Sequence, residues 1–233
     1  MSSVTSGTLM HGSKKELNCW FRAIWWLVSN ATVATARGLQ RELGFAGYQT
    51  AWTWMNKLRS ALSDIAEEKV GGTVAVGSGE LPDGSGILRK YHFLMAVESI
   101  AGGRLSGMVR MACVDSVDGD SVSRFIRDHV RPGSVVVVPE RGPFISAAEM
   151  ESYLLIPDGD NSSAVVLEEM VKRFRSWYGR RKYQPVNRGR LQEQLDEFCF
   201  TQTALLCRNK KDLFDRVLMG AVGHGPREAG HET

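Results

Sequence analysis

At 233 residues, with 43% hydrophobic and 24% charged residues, the chain has ordinary globular composition and enough length to bury a full core in one or two domains. A net charge of +3 is too small to name a nucleic-acid partner, so such a partner has to be argued from local clustering. Cys19, Cys113, Cys199 and Cys207 form no CxxC pair, which excludes a zinc-ribbon pattern and suits reduced thiols in a cytoplasm. The apolar run at 23–28 (AIWWLV) is too short to span a bilayer, and no segment before it reads as a signal peptide.

Residues 1–12 carry no periodic pattern. Ser13-Lys14-Lys15-Glu16 predicts a capping box, with Ser at N-cap and Glu at N3. A helix then runs to about Ser29, with Leu17, Trp20, Phe21, Ile24 and Val28 as its apolar stripe and Trp25 and Trp26 widening it. Five of the six tryptophans fall within 20–54, which predicts a compact aromatic core for a small helical module.

Residues 33–62 predict a pair of helices. Thr35 caps the first, Leu39 and Leu43 share its buried side, and Gly44 ends it as a C′ glycine does. Ala46-Gly47 makes the turn. The second helix runs from about Tyr48 to Leu62, with Ala51, Met55, Leu58 and Leu62 on one apolar face. Its opposite face offers Gln49, Thr50, Thr53, Asn56 and Lys57, side chains suited to phosphates and base edges. The arrangement predicts a helix-turn-helix. A plain helical hairpin gives the same pattern.

After a linker at 63–72 the period changes. Residues 73–76 predict a short strand, 77–87 (GSGELPDGSGI) a glycine-rich loop, and 88–97 and 105–114 a hairpin. Asp118 or Asp120 caps a helix at 121–130, which Arg131-Pro132-Gly133 stops. The β-branched run at 134–138 (SVVVV) predicts a central strand buried on both faces. Residues 139–163 read mostly as loop, with short structure at 146–155. Helices follow at about 164–178, 188–200 and 209–222. Lys172, Arg173, Arg175, Arg180, Arg181, Lys182, Arg188 and Arg190 make 172–190 the most basic zone of the chain, and predict a phosphate-contacting surface.

Helices, three strands, a helix, a strand and further helices predict an α/β fold: an RNase H-like mixed sheet with flanking helices, preceded by a helix-turn-helix-like module. The expected domains are residues 1–66 and residues 67–233.

The chain resembles the small bacterial insertion-sequence transposases of the DDE class, specifically the ISXO-two-like group. The resemblance is carried by WFRAIWWLVSN and ARGLQRELGFAGYQTAWTWMNKLRSAL near the start. It continues through HFLMAVES and SVSRFIRDHVRPGSVVVV in the middle, and LQEQLDEFCF and LFDRVLMGAV toward the end. The zinc ribbon that often precedes this region in the family is missing. The resemblance implies DNA strand cutting and joining, with acidic residues holding two divalent metals. The first acid would end the first strand, where this chain has Gly77 and Ser78. The second would follow the buried strand, where Pro139 stands before Glu140. The third would lie on the helix near 164–178, where Glu168 and Glu169 are available.

Two metal positions are therefore replaced, while the basic residues remain. The chain reads as a transposase-like DNA-binding protein without catalysis, a remnant or a domesticated regulator. No cofactor is expected, and Mg²⁺ is implied only where the family's activity survives. The expected partner is double-stranded DNA at the bacterial nucleoid in the cytoplasm, with no membrane and with a homo-oligomer allowed. The alternatives are an active nuclease using displaced acids such as Glu80, Glu140 and Glu169, and an interaction scaffold with no DNA role.

Overall fold

The computed structural model describes residues 6–66, 68–82, 90–100, 104–139, 142–146, 152–159, 161–179, 188–206 and 209–223. The chain divides into two compact units, residues 1–65 with 207–233, and residues 66–206. Among the described residues no helix is long and apolar enough to cross a membrane.

The first unit holds α1 (Leu17–Ser29), α2 (Ala36–Leu43), α3 (Tyr48–Ala66) and α8 (Lys210–Gly223). The last helix therefore joins the N-terminal helices instead of the sheet. Leu9 N–H donates to the Ala221 carbonyl at 2.9 Å, and Lys210 Nζ to that of Val28 at 3.5 Å. The expected capping box does not form. α1 starts at Leu17 with Glu16 at N-cap and no side-chain cap. The Ser13 hydroxyl instead accepts from the Trp20 indole N–H and the Lys15 N–H, each at 3.2 Å. The buried face of α1 is Trp20, Ala23, Ile24, Leu27 and Val28, while Leu17, Phe21 and Trp25 are exposed. The expected stripe overweighted bulky residues and passed over Ala23 and Leu27.

The helix pair follows the sequence closely. Thr35 Oγ1 accepts from Gly38 N–H at 3.1 Å, and Gly44 ends α2 at φ 65, a left-handed conformation that costs other residues more than glycine. Gln40 holds the turn from both sides: its carbonyl accepts from Phe45 N–H at 3.0 Å and its Nε2 donates to the Phe45 carbonyl at 3.1 Å. Ala51, Met55, Leu58 and Leu62 are all buried. Trp54 stacks on Trp20 with ring centroids 3.7 Å apart, and Phe45 meets Trp54 edge-on at 5.0 Å.

The second unit is built on β1 (Thr73–Pro82), β2 (Lys90–Ile100), β3 (Arg104–Val114), β4 (Val135–Val138) and β5 (Leu154–Pro157), in the order β3-β2-β1-β4-β5. The β1/β2 and β2/β3 pairs are antiparallel; β1/β4 and β4/β5 are parallel. The sheet is mixed and the fold is α/β. α4 (Gly119–His129) makes the crossover from β3 to β4, capped by the Asp118 carboxylate accepting from Ser121 N–H at 2.8 Å. Its Val122, Phe125 and Ile126 pack with Val74, Val76, Leu94 and Val136 on one face of the sheet. α5 (Pro143–Ser146) is short. α6 (Ser162–Gly179) and α7 (Arg188–Leu206) cover the other face with Leu167, Met170, Phe174, Leu191, Leu195 and Phe198, against Ala75, Phe93, Met95 and Met111.

Several expectations shift. β1 runs on into the expected glycine loop as far as Pro82, where Gly77 and Gly79 lie under the Leu167 and Phe93 side chains and make no turn; residues 83–89 of that stretch lie outside the described ones. A fifth strand, β5, lies at the sheet edge where mostly loop was expected; residues 147–151 fall outside the described ones. β4 is central, yet only Val136 and Val138 are fully buried while Val135 and Val137 are half-buried. The helical cover on their face thins toward β5, where Leu154 is 60% and Ile156 41% exposed.

Both outer strands carry features that hinder further pairing. α7 seals β3: Cys113 N–H donates to Gln192 Oε1 at 2.8 Å and Gln192 Nε2 donates to the Met111 carbonyl at 3.1 Å, as a neighbouring strand would. On β5, Leu154 and Asp158 turn their N–H groups toward the carbonyls of Ser134 and Val138. By alternation the outward N–H positions are Leu155 and Pro157, and proline has no N–H.

Gln192 Nε2 also donates to Asp196 Oδ1 at 2.8 Å. Burial is the main cause that raises the Asp196 carboxyl to about 6, against the opposing Gln192 hydrogen bond and the Arg110 charge. A carboxyl whose pKa is raised by folding favours the folded state below about pH 4, and that contribution is lost as pH rises through 6. We therefore expect urea unfolding, followed by circular dichroism, to show a fall in stability from Asp196 between about pH 4 and 6.5, set against a gain from His129, whose imidazole is held below its ordinary value by burial. Asp196→Asn should flatten that fall by an amount on the order of 2 kcal/mol. An unchanged pH profile in the variant would rule this out.

Candidate nucleic-acid interface

A helix turns about 100° per residue, so Gln49, Trp52, Thr53 and Asn56, at i, i+3, i+4 and i+7, fall on one face of α3. That face lies opposite the buried Ala51, Met55, Leu58 and Leu62. Gln49, Thr50 and Thr53 are exposed, while Asn56 and Lys57 are half-buried. The Thr53 hydroxyl donates to the Gln49 carbonyl at 3.0 Å. Asn56 Oδ1 accepts from the Arg59 guanidinium at 3.4 Å. Lys57 Nζ lies 5.9 Å from the Trp20 ring centroid, a cation–π distance. The expected front is thus assembled, but Lys57 is drawn to its edge.

Sequence reasoning placed Trp52 in the aromatic core. It is 37% exposed and lies among the polar residues of the front, while Trp25, also expected inside, is 50% exposed. The missed signal was spacing: Trp52 is three residues from Gln49 and four from Asn56, whereas Trp54 falls on the buried face.

Charge is divided unevenly between the units. Residues 1–65 with 207–233 carry 12 Lys and Arg against seven Asp and Glu, and residues 66–206 carry 17 against 19. The small net charge of the chain hides a basic helical unit and a slightly acidic sheet unit.

The basic zone is less available than its composition suggested. Lys172 pairs with Glu168 at 3.7 Å and Arg173 with Glu169 at 3.0 Å along α6. Arg175 donates to the Glu80 carbonyl at 3.1 Å. Arg188 pairs with Asp115 and donates to the Cys113 carbonyl at 2.9 Å, which ties the start of α7 to the end of β3. Arg190 is exposed. Arg180, Arg181 and Lys182 lie outside the described residues.

The positions expected to hold metal lie on or just after paired strands but lack the chemistry. β1 pairs β4 as far as Ala75 level with Val137, two residues short of Gly77 and Pro139. Gly77 lies mid-strand, not at a strand end as expected, because β1 continues to Pro82. A Cβ at Gly77 would stand 2.7 Å from Leu167 Cδ1 on α6, so an apolar side chain fills the room a carboxylate would need. Ser78 is exposed on the other face of the strand. Glu168 and Glu169 are held in their helical pairs. Glu80 accepts from Lys90 Nζ at 2.6 Å, which holds its carboxyl below the ordinary value, and His92 lies 3.6 Å from it. Glu140 lies outside the described residues. Among the described residues no group of three His, Cys, Asp or Glu is placed to hold a metal ion. The residues at Gly77, Ser78, Pro139 and Leu167 do not fit a pair of divalent cations.

Asp158 is a buried acid whose N–H donates to the Val138 carbonyl at the end of β4. It follows β5, and its carboxylate accepts from the Ser163 hydroxyl at 2.5 Å and Ala164 N–H at 3.0 Å, so it serves the first turn of α6. Cys199 is fully buried and its thiol is pushed up to about 12, chiefly by burial; it is an inert core residue.

Comparison with protein families finds no match for the chain, and comparison with curated proteins finds none either.

The contact at Gly77 makes a quantitative expectation. Gly77→Ala should destabilise by about 1–3 kcal/mol through overpacking, and Leu167→Ala by about 2–5 kcal/mol through the cavity it leaves. The double variant should lose clearly less than the sum, because each change relieves the other. Additive losses in urea unfolding would mean that the two residues do not meet.

Proposed function

We propose that the chain is a duplex-DNA-binding protein built on the plan of a DDE transposase and unable to cut DNA. The DNA-binding part is carried by the outward face of α3: amide and hydroxyl side chains on a rigid helix, preceded by α2 and a left-handed Gly44 turn, in a unit with an excess of cations. The RNase H-like part is supported by hairpin strands followed by a crossover helix and a central strand parallel to the first. The loss of cutting is supported by Leu167 against Gly77, and by Pro139 standing before Glu140 after β4. Displaced acids serve poorly as substitutes, since Glu80, Glu168 and Glu169 are each held by a nearby cation.

Phosphate contacts release counterions, so affinity for duplex should fall steeply as salt rises. A titration of the full chain on labelled duplex at two salt concentrations tests this. Replacing Arg180, Arg181 and Lys182 together by alanine should weaken binding to all sequences alike and flatten the salt dependence if the basic zone also follows the backbone. No nicking of supercoiled DNA is expected with Mg²⁺ or Mn²⁺. Nicking that vanishes in Glu140→Gln or Glu169→Gln would restore the enzyme reading. The exposed Leu17, Phe21 and Trp25 on α1 favour a scaffold as the second reading. It takes over if no duplex is bound and the protein self-associates.

A further inference from the structure

We infer that the α3 face selects A·T-rich duplex, with Trp52 as the side chain that contacts thymine methyl groups. This rests on the reading of α3 as the helix that enters the major groove, and goes on to name what that helix reads. Packing accounts for Trp54, which is buried against Trp20, and leaves Trp52 exposed between Gln49 and Asn56. Thymine's methyl is the apolar group that the major-groove base edges present. A primary amide is the complement of adenine, giving a hydrogen to N7 and taking one from N6; Gln49, three residues before Trp52, is exposed, while the Asn56 oxygen already accepts from Arg59 and leaves only the Asn56 N–H groups to give. The Thr53 hydroxyl already donates to the Gln49 carbonyl, so its methyl adds to the apolar surface.

Guanine is read most often by Arg or Lys. The cations closest to this face are engaged within the protein. Lys57 lies against the Trp20 ring and Arg59 reaches the Asn56 amide. The face therefore offers the Gln49 amide for adenine and apolar surface for thymine, while the described cations that flank it on α3, Lys57 and Arg59, are engaged within the protein.

The test uses the full chain and labelled duplexes of equal length at one low salt concentration: A·T-rich, the same sequence with deoxyuridine for thymidine, and G·C-rich. Deoxyuridine removes the methyl and keeps the base pair. The A·T-rich duplex should bind roughly tenfold tighter than the G·C-rich one, and deoxyuridine should weaken binding roughly threefold to tenfold. Trp52→Ala should bind the thymidine and deoxyuridine duplexes alike while keeping the salt dependence of the wild type. Trp52→Phe, which keeps an aromatic surface, should retain part of the methyl effect, and serves in place of the alanine variant if that one loses its helical circular dichroism. Equal wild-type affinity for the thymidine and deoxyuridine duplexes overturns this inference and leaves duplex binding standing. Absence of binding to any duplex overturns both. A full deoxyuridine penalty in Trp52→Ala, or a change in its sedimentation without DNA, overturns the assignment of Trp52; the latter result makes the face a contact between copies of the chain.

Discussion

The sheet unit depends on how closely α6 can approach β1. Glycine at 77 lets the Leu167 side chain drop to within 2.7 Å of where a Cβ would stand, a distance that any larger residue forbids. Around that point the rest of the face assembles. Phe174, two turns further along α6, meets Phe93 at 5.4 Å and Phe198 at 5.1 Å, both edge-on, and so joins α6, the sheet and α7 in one aromatic cluster. The same contact that builds this core leaves no room at 77 for a longer side chain unless Leu167 moves.

The helical unit has its own organising contact, the stack of Trp20 on Trp54. It fixes α1 against α3 and turns the rotation of α3 into a consequence of core packing. With Trp54 and Met55 inside, Gln49, Trp52 and Thr53 have to face outward. The polar front is therefore as rigid as the core beneath it, which is what a reading helix requires if its side chains are to discriminate between bases.

Local chemistry was readable in the sequence wherever one residue decides the outcome. Thr35 and Gly44 bound α2, Asp118 caps α4, and the apolar period of Ala51, Met55, Leu58 and Leu62 set the buried face of α3. The β-branched run at 134–138 and the hairpin before it led to a mixed sheet. Features set by distant partners were not readable. The glycines at 77 and 79 looked like a loop because the side chains lying over them, Leu167 and Phe93, are remote in sequence. β5 is four residues long and hides among loop residues. The basic run at 172–190 looked free because the i,i+4 pairs with Glu168 and Glu169, which helical spacing makes readable, were passed over, and because the reach of Arg188 to Asp115 depends on which residues the fold brings close. Trp52 was misplaced because a tryptophan cluster suggests a core, while the helical angle between Trp52 and Trp54 separates them.

Gln192 on α7 and Pro157 on β5 stand at opposite margins of the same sheet. One satisfies the outer backbone of β3 with an amide, and the other withholds a donor from the outer row of β5. The two devices differ, but each removes backbone partners from a margin of the five-stranded sheet. Strand stacking, the usual hazard of an exposed sheet margin, meets an occupied stretch on β3 and a missing donor on β5. Contacts between copies of this chain are thereby shifted toward side chains, where single surface substitutions can tune them.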